Sequence, residues 1–247
     1  MDIAVIGHVH ANLPALEVVL AHAREQGAEA IWSVGDLIGY GAFPDEVVCL
    51  LRESQAVSSL GEMDSQVLRF KKRRDKWRRK KAPETYAALA WTYEHLSKNS
   101  RKYLRFLSDR VRTKVKGRRV LLTHACPGSG KKPLGPDTPD QRLVQFAREA
   151  DAELIVCGRA HQPCVRHVGG AWFIHPGSVG LPNDGDPRAG YALLRIQKDE
   201  IEVDFYRVEY DVERLVAELR KQGLPKRVAQ MFSQGRDLDQ VVPEGAE

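Results

Sequence analysis

The feature that most constrains this chain is an apolar, strand-like run that recurs along it and ends each time at a glycine or a residue able to bind a metal. The five runs and the residues that follow them are 3–7 with His8 and His10, 31–35 with Asp36, 57–61 with Glu62 and Asp64, 120–123 with His124, and 154–158 with Arg159 and His161. Helix-like segments separate the first three runs, and this alternation predicts a parallel sheet with right-handed crossovers. Ligands of open α/β sheets bind beyond the carboxyl ends of the strands, so we expect these side chains to converge at one edge.

The chemistry of these strand ends predicts a metal site. Imidazole and carboxylate groups are the usual ligands of zinc, iron and manganese. A lone histidine after a strand is more often an ordinary loop residue. Five strand ends of this kind in one chain are hard to explain as ordinary loop residues.

The rest of the sequence predicts a mixed α/β fold with helices outside and more than one section of sheet inside. The helices are predicted at 12–26, 44–52, about 65–108 with a break at Pro83, 140–150, 211–221 and 226–233, and further strands at 165–167, 171–174, 191–196 and 201–206. Gly169 and Gly170 form the turn of a predicted hairpin.

Composition excludes several classes of protein. The chain has 247 residues, 43% of them hydrophobic and 29% charged, which argues against a disordered chain. No apolar run approaches the roughly 18 residues of a membrane helix, and the N-terminus does not resemble a signal peptide. We therefore expect a cytoplasmic protein without a membrane span.

The positive charge is concentrated in one basic strip, residues 71–81, which begins at Lys71 and ends at Lys81. Nine of its eleven residues are basic and one is acidic, so the strip carries a charge of +8. The whole chain carries +5, so the rest of the chain is slightly negative. Two interpretations stay open. The strip can attract nucleic acid or another polyanion, with Trp77 stacking on a base, or it can be a solvated helix face with Trp77 packed inward.

The strand-end motifs resemble those of the calcineurin-like metallophosphoesterases, and most closely their small bacterial phosphodiesterase and phosphatase branch. That family has Asp-x-His, Gly-Asp, Gly-Asn-His-Asp or Glu, a lone His, and Gly-His-x-His, each after a strand. The matching segments here are His8-Val9-His10, Gly35-Asp36, Gly61-Glu62-Met63-Asp64, His124 and Gly158-Arg159-Ala160-His161. The resemblance implies a sandwich of two mixed sheets flanked by helices. It implies one domain over 1–247, with a basic helical segment at about 65–82 and C-terminal helices at about 210–234.

The resemblance also implies the ligands, and here the sequence departs from the family. The positions of the first metal are His8, His10, Asp36 and His161, all able to ligate. Those of the second metal are Asp36, Glu62, His124 and Arg159. Arginine stays protonated and has no acceptor, so it cannot be a ligand. We therefore expect one divalent transition metal (manganese, iron, zinc or nickel) rather than two.

Arg159 has two open roles by this resemblance. It can fill the space of the second metal and pair with Glu62, or it can contact a substrate phosphate. His124 is correspondingly a substrate contact or a remaining ligand of the second site. With Asp64, these two residues make up the candidate catalytic residues.

Other positions in the sequence bear on the same site. Met63 stands where the family has a histidine that assists the leaving group, and it cannot donate a proton. Lys131 and Lys132, in a loop after His124, are candidate substrate-binding residues. His175 is expected to be structural rather than a ligand.

The sequence thus predicts a metal-dependent phosphoesterase, either a phosphodiesterase or a phosphatase, with a reduced metal site and a phosphate-ester substrate. The alternative is a catalytically inactive relative that serves as a binding or regulatory protein and engages a polyanion through the basic strip. Retention of Asp36, His10, His124 and His161 favours the enzyme. The substitutions at positions 8, 62, 63 and 159 favour the alternative. The sequence favours no oligomeric state.

Overall fold

Two mixed five-stranded sheets form the centre of the protein. The computed structural model describes residues 1–125, 135–198 and 200–243. In spatial order the first sheet contains β10 (Ile201–Val208), β9 (Ala189–Ile196), β1 (Asp2–Ile6), β2 (Ala30–Ser33) and β3 (Val57–Ser58). The second sheet contains β4 (Arg110–Val115), β5 (Arg118–Thr123), β6 (Leu154–Cys157), β8 (Ala171–His175) and β7 (Cys164–Val168).

The alternation of side chains along each strand produces the layers. Ile3 and Val5 of β1 lie in the core between the two sheets, together with Leu122 of β5. Ala4 and Ile6, which point the other way, pack against helices. The central strands of both sheets are therefore buried on two faces, which requires the apolar residues that the sequence contains, whereas β4, β7 and β10 are partly exposed.

Helices cover the outer faces of the sandwich. In the described part of the chain they are α1 (Leu13–Glu25), α2 (Pro44–Glu53), α3 (Glu62–Lys80), α4 (Pro83–His95), α5 (Lys98–Phe106), α6 (Asp140–Ala150), α7 (Val212–Lys221) and α8 (Lys226–Gln234). None of these helices combines the length and the apolar character that a membrane crossing demands.

The predicted fold class is confirmed, including the parallel β1–β2–β3 order and the β7–β8 hairpin. Two details differ. β3 has two residues instead of five. The helical stretch predicted at 65–108 divides into the three helices α3, α4 and α5. Strand β4, which follows them, was not predicted. Arg110, Arg112 and Lys114 alternate with the remaining residues of β4, and charged side chains are typical of an edge strand that avoids pairing with another chain.

The loops after β1, β2 and β3 are held together by backbone contacts. The His8 N–H donates to the Gly35 carbonyl at 3.0 Å, and the His10 N–H donates to the Asp36 carbonyl at 3.0 Å. A Cβ atom added at Gly61 would lie 1.9 Å from the backbone nitrogen of Asp36. The three strand ends therefore meet at backbone distance, which brings their side chains into one place.

We expect Gly61→Ala to displace Asp36 and to abolish metal binding. Gly61 has a φ of −85°, which alanine adopts readily, so the effect is steric contact with Asp36 and not backbone strain. Metal content after dialysis against manganese measures the outcome. Gly135→Ala is the matched control, because no atom lies within 4 Å of its added Cβ. Equal metal content in both variants would contradict this account.

Candidate metal centre

Asp36 lies at the middle of the strand-end cluster, and its two carboxylate oxygens have different partners. Oδ1 accepts the backbone N–H of Met63 at 2.7 Å, at the start of α3. Oδ2 faces Nδ1 of His8 at 3.4 Å, Nε2 of His10 at 3.8 Å and Nε2 of His124 at 3.4 Å. Burial opposes ionisation of this carboxyl, but the electrostatic interaction with His124 and the contacts with His8 and His10 outweigh it and hold the pKa of Asp36 below its usual range. One oxygen is thus fixed by the backbone and the other faces three imidazoles.

His124 and His161 present an Nε2 lone pair, because their other ring nitrogen is engaged by a backbone carbonyl. Nδ1 of His124 lies 2.8 Å from the Val34 oxygen, and Nδ1 of His161 lies 2.6 Å from the Leu181 oxygen. A carbonyl can only accept, so each Nδ1 carries the proton. This arrangement is common around metal-binding histidines, where a carbonyl that accepts from one ring nitrogen fixes the tautomer and leaves the other nitrogen free to bind the ion.

His10 is the residue whose surroundings most clearly suit a cation. Its side chain is 2% exposed, yet neither ring nitrogen has a hydrogen-bond partner. Burial lowers the pKa of His10 to about 3, so the ring is neutral and retains a lone pair, as a metal ligand must. The donor set therefore fits a divalent transition metal. Two groups of candidate ligand atoms lie within 4.8 Å of one another, His8 with His10 and His161, and His8 with Asp36 and His124.

His8 belongs to both groups, but its hydrogen bonds describe a different role. Its Nε2 accepts the backbone N–H of Arg159 at 2.8 Å. In a neutral ring Nδ1 then carries the proton, and it lies 3.4 Å from Asp36 Oδ2 without a hydrogen bond of ordinary geometry. In this form His8 offers a metal no lone pair, although the spacing of its ring nitrogens places it in both groups of candidate ligands. Burial places the pKa of His8 well below its usual range.

His175 resembles His8 in the way it supports the loop that carries Arg159 and His161. Its Nε2 accepts the backbone N–H of Ala160 at 3.0 Å, and the rings of His8 and His175 are stacked with 5.7 Å between centroids. Two buried imidazoles thus hold successive N–H groups of one loop, which agrees with a structural role for His175.

The loops of the centre adopt a backbone conformation that L-residues rarely use. His8, His10, Asp36, Arg159 and His161 all have φ between 50° and 84°. Each such residue is strained by about 1–3 kcal/mol and persists only where the surroundings impose it. This concentration at the strand ends marks a functional site.

Arg159 forms an ion pair with Glu62 beside the imidazole cluster. The distance from Nη1 to Oε2 is 2.8 Å, with the two side chains 28% and 46% exposed. This pair is one of the two arrangements of Arg159 that the sequence left open. Both side chains retain access to solvent, so an incoming anion can reach the guanidinium of Arg159.

The carboxylate of Asp64 accepts hydrogen bonds from the backbone and is not in contact with the candidate site of reaction. Its Oδ1 accepts the Ile38 N–H at 3.0 Å, its Oδ2 accepts the Gly61 N–H at 2.9 Å, and the side chain is fully buried. Burial, reinforced by the charge of Asp36, raises the pKa of Asp64 to about 6. A carboxylate held on both oxygens inside the protein cannot reach a substrate, and this differs from its expected place among the catalytic residues.

Two cavities open from the centre. One of about 550 Å³ is lined by His10, Asp36, His161 and Met63, among others. A second of about 800 Å³ is lined by His124 and Arg159. Glu62 borders both cavities. The metal-ligand candidates therefore lie between two separate clefts.

The structure brings together the predicted residues at positions 8, 10, 36, 62, 124, 159 and 161. Lys131 and Lys132 lie outside the described residues. The carbonyls of Val34 and Leu181 were missed, because no side-chain pattern identifies a backbone acceptor. Arg69 and Arg110, which line the larger cavity, were also missed. Arg69 lies two residues before the basic strip, separated from it by Phe70, and this proximity was the available signal.

Comparison with known proteins agrees with this geometry. The sequence profile of the calcineurin-like phosphoesterase superfamily domain matches residues 1–199. The uncharacterized protein MJ0912 of Methanocaldococcus jannaschii is 31% identical, over 95% of this chain and 98% of its own.

Two solved structures share the architecture. A metallophosphoesterase from Sphaerobacter thermophilus is 29% identical with a TM-score of 0.74, covering 95% of this chain and 100% of the other. The hypothetical protein PH1004 from Pyrococcus horikoshii OT3 is 23% identical with a TM-score of 0.85, covering 95% and 98%. The second of these shows the fold alone.

We expect His10→Gln to remove the bound metal and His8→Gln to leave it largely in place. His10 has free nitrogens, whereas His8 supports Arg159 and Asp36 from outside the ligand set. Loss of an outer partner typically weakens metal affinity about 10–100-fold, which excess metal overcomes. Metal per chain at saturating manganese measures both variants. Equal loss in the two would return His8 to the ligand set.

Proposed function

Because this chain belongs to the calcineurin-like phosphoesterase superfamily, whose members are in general metal-dependent phosphoesterases, we propose that it hydrolyses phosphodiesters at a centre holding one divalent transition metal. The observation that carries the proposal is the convergence of buried imidazoles on Asp36, among them His10, neither of whose ring nitrogens has a hydrogen-bond partner. The two clefts on either side of Glu62 favour a diester, which has two substituents on phosphorus.

In this proposal His10, Asp36, His124 and His161 hold the metal. Such an ion supplies an activated water and polarises the phosphoryl group. The carbonyls of Val34 and Leu181 orient the two imidazoles that bind to them, and Met63 N–H orients Asp36. The chain thus fixes its ligands before any ion arrives.

Arg159 binds the substrate phosphate. Its guanidinium stands where the family places a ligand of the second metal, and it carries a fixed positive charge. Glu62 holds the side chain at the rim, and an arriving phosphate oxygen competes with Glu62 for the same N–H groups. The arginine therefore neutralises substrate charge that a second ion neutralises in the family pattern.

Charge also favours a single ion. Among the described residues, Asp36 is the carboxylate within 4 Å of His8, His10 and His124, and Glu62 is balanced by Arg159. A second dication placed beside Arg159 is repelled by that guanidinium and finds no lone pair on it.

Met63 limits the reaction. The thioether stands at the position of the family's proton donor and cannot protonate a leaving group. A positioned acid contributes about 10²–10⁴-fold, so we expect a preference for diesters with good leaving groups.

We expect Asp36→Asn to abolish manganese-dependent hydrolysis of bis(p-nitrophenyl) phosphate, because the amide removes the charge that holds the ion. Release of p-nitrophenol measures the rate. Asp204→Asn, which removes an exposed carboxylate on β10, is the control for preparation and contaminants. Absent wild-type activity, or equal activity in Asp36→Asn, contradicts the proposal and favours a binding protein that has lost the reaction.

We expect the wild type to bind one manganese ion per chain and Arg159→His to bind two. The substitution removes a positive charge and adds the imidazole that the family pattern has there. Isothermal titration with metal analysis gives the stoichiometry. Arg195→His, far along β9, adds a histidine elsewhere and is expected to keep one ion. Two manganese ions per chain in the wild type would contradict the proposal of a centre with one metal.

A further inference from the structure

The larger cavity is a groove that runs from the metal centre along helix α3. On one side it is lined by Glu62, Gln66, Arg69 and Trp77 of α3, and at its inner end by His124 and Arg159. The opposite wall includes Arg110 at the start of β4. A substrate that reaches the centre through this groove therefore lies against α3.

The face of α3 that borders the groove continues as a row of cations. Helical spacing of i, i+4, i+7 and i+11 places Arg69, Arg73, Lys76 and Lys80 on one face. At 1.5 Å per residue this row is about 17 Å long. It turns part of the basic strip into a linear array that leads away from the centre.

No carboxylate neutralises this row within the described part of the chain. The only ion pair found there within the basic strip joins Arg74 and Asp75 at 3.8 Å, on another face of the helix and between well exposed side chains. Arg69 and Arg110 likewise have no ion pair among the described residues. Like charges at i and i+4 destabilise a helix by about 0.2–0.5 kcal/mol per pair. Within the described residues nothing compensates this repulsion, whereas an external polyanion would.

Trp77 adds an aromatic surface to the same groove. The indole packs against Phe70, with 6.3 Å between ring centroids, and the Lys81 ammonium lies over its ring at 5.4 Å. The side chain is partly buried and lines the cavity, so the ring is held in place while one part remains accessible. A planar base can replace Lys81 on the accessible face.

We propose that this groove binds single-stranded nucleic acid, whose backbone follows the row from Arg69 to Lys80 while a base stacks on Trp77. The proposal deepens the function proposed above and rests on it for cleavage, though not for binding. Among polyanions, a nucleic acid combines a phosphodiester backbone for the centre with planar bases for an aromatic ring. Sulfated polysaccharides and anionic lipids offer charge without bases.

The test measures binding of a fluorescein-labelled 12-nucleotide oligothymidylate by fluorescence anisotropy, in EDTA so that no hydrolysis occurs. We expect affinity to fall with salt, with a slope of about −0.7 per contacted phosphate. Replacing Arg73, Lys76 and Lys80 by Gln should lower the magnitude of that slope by about 2. Trp77→Leu should weaken binding about 5–150-fold.

Matched variants separate the groove from net charge. Gln at Lys71, Arg74 and Arg78 removes three charges from other faces of α3, and Trp91→Leu removes a tryptophan from α4. Both should leave binding within about threefold of the wild type. The two control variants should hydrolyse bis(p-nitrophenyl) phosphate at the wild-type rate, because their substitutions lie outside both the centre and the groove.

The outcomes are distinct. Equal losses of oligonucleotide affinity in the two triple variants would show that net charge alone attracts the ligand, and would overturn the proposal. So would an affinity that Trp77→Leu leaves unchanged, or heparin binding as tight as oligonucleotide binding. Loss of hydrolysis in every sample, with oligonucleotide binding as expected, would contradict the proposed function and leave the groove assignment standing.

Discussion

The carboxylate of Asp36 connects the backbone of this protein to its metal-binding side chains. Its Oδ1 is fixed by the first turn of α3 and its Oδ2 faces three imidazoles from two different loops. The close approach of Gly61 to Asp36 makes this geometry possible, because a side chain there would occupy the same space. The strained conformations of the neighbouring histidines follow from the same crowding: the loops must turn sharply to aim each ring at one point.

Burial gives the cluster its chemistry. His8, His10 and Asp36 are almost fully buried, so the charged form of the two imidazoles is disfavoured and an unpaired acceptor is costly. The histidines then divide by their hydrogen bonds. His124 and His161 donate to carbonyls and keep a lone pair facing inward, whereas His8 and His175 accept from the loop of Arg159 and Ala160 and hold it. One residue type thus serves as ligand and as scaffold, and Arg159 is placed by the scaffold.

Helix α3 joins the centre to the groove. Its first turn holds Asp36 and contributes Glu62, which pairs with Arg159, and its later turns present the cationic row and Trp77. A single rigid element therefore sets the distance between the proposed site of hydrolysis and the proposed path of the substrate. The edge strand β4 faces the same groove with Arg110, so the charged edge that discourages strand pairing also contributes to its electrostatics.

The sequence by itself determined the strand order of β1, β2 and β3 and the convergence of positions 8, 10, 36, 124 and 161, because apolar periodicity and strand-end residues are local signals. It offered the pairing of Glu62 with Arg159 as one of two roles for the arginine, because both residues replace ligands of the same metal in the family pattern. Contacts between distant segments decide three further features. These are the length of β3, the existence of β4, and the burial of Asp64 with both of its oxygens bonded to the backbone. Such contacts also decide the role of His8: its residue type permits ligation, and only the folded chain, by placing the Arg159 N–H against Nε2, decides which nitrogen carries the proton.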